Sequence, residues 1–408
     1  MKTTMKYNFD EIIERRHTNA LNTDGFRGYI FHAGPDKKFP FKDDEFIRMW
    51  VADMEFATAP PICQAIKDRV DKRIFGYSMV FSDDYYEAFS HWCKTQYEWT
   101  FPKEELMFSA GVIPALYELL GDLAEKNEKI LITAPAYGYF KHAADYNGRE
   151  LVRSFLKRDM KGHFTIDFED FEKKASDPKM KVILWCNPHN PTGRMWTTEE
   201  SKKIAAIAEK YDLWIISDEI HCDLIRQGKK HIPMGKIMPA YAKLITCMSA
   251  SKTFNIAGLM FSDIIIRDPT IRKIFMSNDK NVGLVNPLSI AAHKAAYTDG
   301  LDWLDQLKTY LDDNFQYVKR FLETNLPQAV FEIPDATYLA WVDFNAYLND
   351  EKNVPLFFAN KAGVLLEGGD ALFVGNAAGF VRLNLAMPRS IIKTGMERIL
   401  KSILENHR

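Results

Sequence analysis

The chain has 408 residues, 47% of them hydrophobic, with 28 Phe, 17 Tyr and 8 Trp. That is ample for a large core and points to two domains, or one large domain with an appendage. Its 53 basic and 55 acidic residues leave a formal charge of -2, so no excess of either sign indicates nucleic acid or an anionic membrane surface.

The five cysteines (Cys63, Cys93, Cys186, Cys222, Cys247) are an odd number and form no Cys-x-x-Cys. They fit reduced, mostly structural thiols better than a disulfide scaffold or a metal cluster. The N-terminus MKTTMKYNFDEIIERR is charged throughout and has no apolar signal core, and no stretch is apolar enough to span a bilayer. A cytoplasmic enzyme is expected.

In chain order, the first ~50 residues are too few to fold alone. They are expected to form an arm and to complete a small domain built mainly by residues 299–408. Pro60-Pro61 opens a helical stripe of Ile62, Ala65, Ile66, Val70 and Ile74. Between about residues 60 and 290, short apolar runs alternate with helical patterns, the signature of an α/β sheet covered on both faces. The runs are 129–134, 181–186, 213–220, 243–248 and 262–267, each nearly continuous, as strands buried on both sides should be. Thr197-x-x-Glu200 reads as a capping box ahead of Ile204, Ala205, Ile207, Ala208 and Tyr211. After about residue 300 comes a long amphipathic helix over 301–325. FEIP, TYLAWVDF and GFVRLNLAM follow as strands of an antiparallel sheet. Residues 51–298 are expected to form the large domain.

Six segments carry possible chemistry, and four of the large-domain ones follow a predicted strand, where open α/β sheets place their ligands. Phe108-Ser-Ala-Gly111-Val112-Ile113 has small residues at a helix start, where backbone N–H groups can approach a phosphate. Ala134-Pro-Ala-Tyr137 could lay Tyr137 on an aromatic ring face, or simply bury it. Asn187-Pro-His-Asn190-Pro-Thr-Gly193 is a tight loop able to aim the Asn190 amide, or a plain turn. Trp214-Ile-Ile-Ser-Asp218 ends an apolar strand with a carboxylate that could pair with a protonated pyridine nitrogen, or cap a helix. Ser249-Ala-Ser251-Lys252 puts an amine able to condense with an aldehyde beside two hydroxyls able to bond a phosphate. Alternatively it is a solvated loop. Gly379-Phe-Val-Arg382 sets an arginine in an apolar strand, suited to bidentate capture of a carboxylate or to a structural ion pair.

Taken in this order, Asn187-Pro-x-Asn190-Pro-Thr-Gly193, Ser217-Asp-Glu and Ser249-x-Ser-Lys252 resemble the aminotransferase class I/II family of fold-type I pyridoxal phosphate (PLP) enzymes, over about residues 45 to 400. Met49-Trp-Val-Ala-Asp-Met-Glu-Phe56, Phe75-Gly-Tyr77, Ser217-Asp-Glu-Ile-His221 and Arg382-Leu-Asn-Leu-Ala-Met-Pro-Arg389 resemble the MalY/PatB-type C–S lyases, which are cystathionine β-lyase-like. The resemblance implies a large domain with a mixed, mostly parallel sheet flanked by helices, plus a smaller α+β domain. It implies Lys252 as the Schiff-base lysine that afterwards moves the Cα proton. Asp218 would sit on the pyridine nitrogen, Asn190 on the phenolic oxygen and Tyr137 on the ring. Ser249, Ser251 and the amides of Gly111, Val112 and Ile113 would hold the phosphate, with Tyr77 contributed by the other subunit of a homodimer. Arg382 would bind the carboxylate of a small amino-acid substrate.

Aspartate aminotransferases of the family carry an arginine where this chain has Met260, and a tyrosine where it has His221, a further cofactor-binding position. Both departures agree with the lyase branch. β-Elimination from cystathionine, cysteine or related S-conjugates is therefore expected, with L-amino-acid transamination as the alternative. Glu367-Gly-Gly-Asp370 stands where such lyases commonly have Pro-Gly. A PLP-binding transcription factor is disfavoured, because the first ~50 residues show no basic recognition helix.

Overall fold

A computed structural model describes residues 6–277, 284–348, 351–370 and 372–406. The five expected strands form as Lys129–Ala134, Met180–Cys186, Trp214–Asp218, Leu244–Met248 and Ser262–Ile266. With Leu106–Ser109 and Glu150–Phe155 they make a seven-stranded sheet. From one edge the order is Leu106–Ser109, Ser262–Ile266, Leu244–Met248, Trp214–Asp218, Met180–Cys186, Lys129–Ala134, Glu150–Phe155. Only Ser262–Ile266 runs against its neighbours. The Trp214 strand ends at Asp218 rather than residue 220, because the Cys222 N–H turns back to the Glu219 carbonyl at 3.0 Å.

Both faces of the sheet are covered, which is why its strands lack polar alternation. Val112–Leu123, Gly138–Tyr146 and Pro269–Ser277 bury Leu116, Leu119, Phe140 and Phe275 on one side. Phe168–Ala175 and Thr198–Lys210 bury Phe171, Ile204 and Ala208 on the other. The Thr197–Glu200 capping box forms in full. The helix opened by Pro60 ends at Val70, short of the expected stripe. Arg73 takes a left-handed φ of 56°, which breaks the helical path, so Ile62 is buried while Val70 and Ile74 face outward.

The long helix runs Leu301–Asn325, and a second apolar cluster gathers around its C-terminal half, from Phe315 to Ile403. Here Leu339–Asp343, Phe380–Asn384 and Glu367–Gly368 form a three-stranded antiparallel sheet. FEIP is not one of its strands: the residue before it, Val330, makes an isolated bridge with Asp343, and Pro334 has no N–H to offer a ladder. Ile47–Arg48 pairs in parallel with Val364–Leu365, and Phe26, Phe46 and Trp50 pack with Ala359 and Leu365. Phe373–Val374 pairs with Ala136–Tyr137, with Phe373 opposite Tyr137. This two-residue ladder ties the C-terminal region to the loop after the Lys129 strand.

Candidate active site

Five loops leave the C-terminal ends of the parallel strands and meet the strand Phe380–Asn384 around one cavity of about 200 Å³. Gly111, Val112, Ile113, Tyr137, Asn190, Asp218, His221, Ser251, Lys252 and Arg382 all line it. Asp218 and Lys252 come from neighbouring strands. Asp218 lies opposite Cys247 in the parallel ladder, and the chain then turns through Ser249 to Lys252.

Lys252 is held in the four-residue turn Ala250–Thr253, and its Nζ donates to the Ala52 carbonyl at 2.8 Å. Burial lowers its pKa, with the Asp53 carboxylate pulling the other way. Asp218 is buried, and its side chain accepts the Ile220 N–H at 3.2 Å. Burial lifts its pKa to about 7, opposed by that N–H and by Lys252 and reinforced by Glu219. A carboxylate this poorly compensated suits a cationic partner.

Behind it, Glu219 is wholly buried and accepts from Ser217 Oγ (2.8 Å) and the Met234 N–H (2.9 Å). Its other oxygen lies 2.7 Å from His231 Nε2. His221 is neutral, because burial and the nearby Lys252 and Arg382 cations lower its pKa to about 3. Its Nδ1 is buried with no hydrogen-bond partner among the described residues.

The loop Asn187–Gly193 is fixed from behind. Gly193 has φ 66°, and a Cβ there would fall 2.4 Å from Pro334 Cβ, so only glycine fits. Asn190 Oδ1 accepts from Arg382 Nη1 at 3.1 Å, leaving its NH₂ end as the group it can offer the cavity. The helix Val112–Leu123 starts at Gly111 without a side-chain cap, so its first N–H groups are available to an anion.

Ser249 is tied into the turn that carries Lys252. Its hydroxyl donates to the Phe261 carbonyl (2.8 Å) and accepts the Ser251 N–H (3.0 Å), so it caps the lysine turn while Ser251 lines the cavity. Tyr77 lies outside the cavity of its own chain and is 95% exposed. Arg382 is not free: it pairs with Glu367 and lies 3.4 Å from the Trp50 carbonyl.

Sequence reasoning missed four contributors. Tyr29, from the helix Phe26–Phe31, lines the cavity, although its segment reads only as an arm. The carbonyls of Trp50 and Ala52 meet Arg382 and Lys252, a role for the Met49–Phe56 motif that no side-chain pattern announces. Glu367 also lines the cavity; the departure from Pro-Gly marked its position but not its partner.

The sequence matches the family model described as aminotransferase class I and II over residues 45–399. It is 36% identical to cystathionine beta-lyase PatB of Bacillus subtilis, over 96% of this chain and 98% of that protein. The structure superposes on the PLP-bound C–S lyase of Staphylococcus hominis with TM-score 0.93 and 46% identity, covering 98% of this chain and 99% of that one. It superposes on PLP-containing cystalysin of Treponema denticola with TM-score 0.90 and 32% identity, covering 99% and 100%.

The donor set fits PLP chemically. It offers an amine for the aldehyde, a buried carboxylate short of a cation, an amide NH₂ and an uncapped helix start for the phosphate. The cofactor is pyridoxal 5'-phosphate, and the chain belongs to the aminotransferase class I and II family.

Proposed function

We propose that this enzyme is a PLP-dependent C–S lyase that eliminates the β-sulfur substituent of cystathionine, cysteine or related S-conjugates, releasing a thiol, pyruvate and ammonia. The observation that carries this is the convergence of Lys252, Asp218, Asn190 and Arg382 on one cavity wall. The similarity to C–S lyases at 46% and 32% identity favours elimination over transamination.

Bound PLP supplies the sink for the electron pair left at Cα when its proton departs. Lys252 is the base that takes this proton, and its buried, depressed pKa makes the neutral amine accessible. Asp218 keeps a proton on the pyridine nitrogen, and the Asn190 NH₂ donates to the phenolic oxygen. Tyr137 stacks on the ring, with neutral His221 also beside the cofactor. The amides of Gly111, Val112 and Ile113 hold the phosphate together with Ser249 and Ser251. Arg382 orients the substrate α-carboxylate. In the elimination the Cβ–S bond breaks, sulfur leaves with the bonding pair and takes a proton, and hydrolysis of the remaining fragment gives pyruvate and ammonia.

The working unit in this reading is a homodimer in the cytoplasm, with Tyr77 of one subunit reaching the other's phosphate. Support comes from the exposed large apolar residues Val70, Ile74, Phe75, Tyr77 and Phe81, which follow closely in the chain, as a surface covered by a partner would. No helix among the described residues is long and apolar enough to cross a membrane. Division near residues 50 and 298 is supported by the separate apolar cluster around Phe315–Ile403.

The deciding experiment gives the purified enzyme L-cystathionine with no keto acid. Stoichiometric pyruvate and thiol are expected. Turnover that appears only when a keto-acid acceptor is added would replace lyase by aminotransferase.

A further inference from the structure

Glu367 and Arg382 are Cα partners across the antiparallel strands Glu367–Gly368 and Phe380–Asn384. Gly368 permits the close approach of these strands, since a Cβ there would fall 2.4 Å from the Phe380 carbonyl oxygen. The two side chains form an ion pair in the cavity wall, 3% and 2% exposed. The pair is incompletely satisfied. Glu367 Oε1 and Arg382 Nε are both buried with no hydrogen-bond partner among the described residues. The guanidinium assigned above to the substrate carboxylate is thus already held by a carboxylate of the protein.

We propose that Glu367 is the resident counter-ion of Arg382, that the substrate α-carboxylate displaces it from the guanidinium, and that Glu367 takes up one proton from solvent in the exchange. This role presupposes Arg382 as the carboxylate site. Before the exchange one cation faces one anion. Afterwards the guanidinium faces the substrate anion, and a neutral Glu367 carboxyl can donate its O–H to a substrate carboxylate oxygen.

If both carboxylates stayed ionised, two anions would share one buried guanidinium, and like charges sharing a site drive one of them to protonate. The titratable groups facing Glu367 from the other elements are Lys252, Tyr29 and Tyr137. Burial pushes both phenols up, so they stay neutral, and Lys252 is the one further basic group in this set. Burial also raises the Glu367 carboxyl, against the pull of Arg382 and Lys252. Loss of its guanidinium partner raises it further.

The test titrates the holoenzyme calorimetrically with 3-(methylthio)propionate, which keeps the carboxylate and thioether but has no amine to react with the cofactor. Runs at about pH 8 in buffers of different ionisation enthalpy count the protons exchanged. The expected result is uptake of about one proton per acid bound, with affinity falling by up to about tenfold per pH unit. Glu367→Gln should bind the acid about tenfold or more tighter at that pH, without proton uptake. Binding by the unaltered enzyme with no proton uptake and flat affinity overturns the proposal whatever the variant does. Proton uptake that persists in Glu367→Gln overturns it too. Arg382→Ala should lose binding; unchanged affinity there would instead remove Arg382 as the carboxylate site, a failure distinct from that of Glu367.

Discussion

Lys252 Nζ donates to the carbonyl oxygen of Ala52 at 2.8 Å, joining the lysine turn to a segment 200 residues earlier in the chain. That segment is itself held by Asn255, whose side chain bonds both the N–H and the carbonyl of Met54 at 2.9 Å. Asn384 adds bonds to the carbonyls of Val51 (2.8 Å) and Asp53 (2.6 Å). The segment that receives the amine is therefore held from both sides.

In the proposed mechanism, Lys252→Ala removes both the attachment point and the base. Turnover should fall by about 10³-fold or more. The visible absorption of the lysine-bound cofactor should vanish, and borohydride should no longer fix PLP to a unique peptide. A unique labelled peptide in the variant would show that another lysine does this work.

Asp218 gives a pH-dependent prediction for the protein stripped of PLP. A carboxyl that titrates near 7 when folded and near 3.8 when unfolded retains its proton better in the folded state between those values. Stability therefore falls as pH rises through that window and stays low above it, by at most on the order of 4 kcal/mol. Asp218→Asn should raise the melting temperature of the stripped protein at about pH 8 and narrow its pH dependence. In the loaded enzyme the same change should weaken cofactor retention and slow turnover, because the pyridine nitrogen loses its anion. Opposite shifts in the two forms are the result to look for in paired melting curves.

Glu219 is spent entirely on Ser217, Met234 and His231, directly behind Asp218. Glu219→Ala strands three polar groups in a sealed interior and should destabilise the protein by about 3 kcal/mol or more. Thermal melting of the holoenzyme measures this. A loss within the error of the scan would mean that His231 and Ser217 find other partners.

Tyr77 can be placed by subunit mixing. If it serves the partner's site, Lys252→Ala and Tyr77→Ala chains are each impaired alone, yet a mixed dimer rebuilds one intact site of two. Random reassociation should then restore about one quarter of the native activity. No recovery beyond the sum of the separate variants would leave Tyr77 serving its own chain or none.

The large sheet was legible because its strands are buried on both faces and so read as unbroken apolar runs ending in Gly, Pro, Ser or Asp. The residues at those ends, Gly111, Tyr137, Asn190, Asp218 and Lys252, do converge on one cavity. What escaped was set by backbone or by distant partners. Ala52 acts through a carbonyl that every residue possesses. Tyr29 is brought in by packing of Phe26 and Trp50 on Leu365, a long-range event. Glu367 gains its meaning only from strand pairing that sets it against Arg382. The helix after Pro60 ran short, and FEIP made no strand, because left-handed Arg73 and amide-less Pro334 overrode favourable apolar spacing.

The two-residue ladder between Phe373–Val374 and Ala136–Tyr137 has a mechanical outcome. It fastens Tyr137 to the same C-terminal region that carries Arg382. Any rocking of that region on the main sheet tugs at both, so the two side chains are geared together rather than adjusted independently.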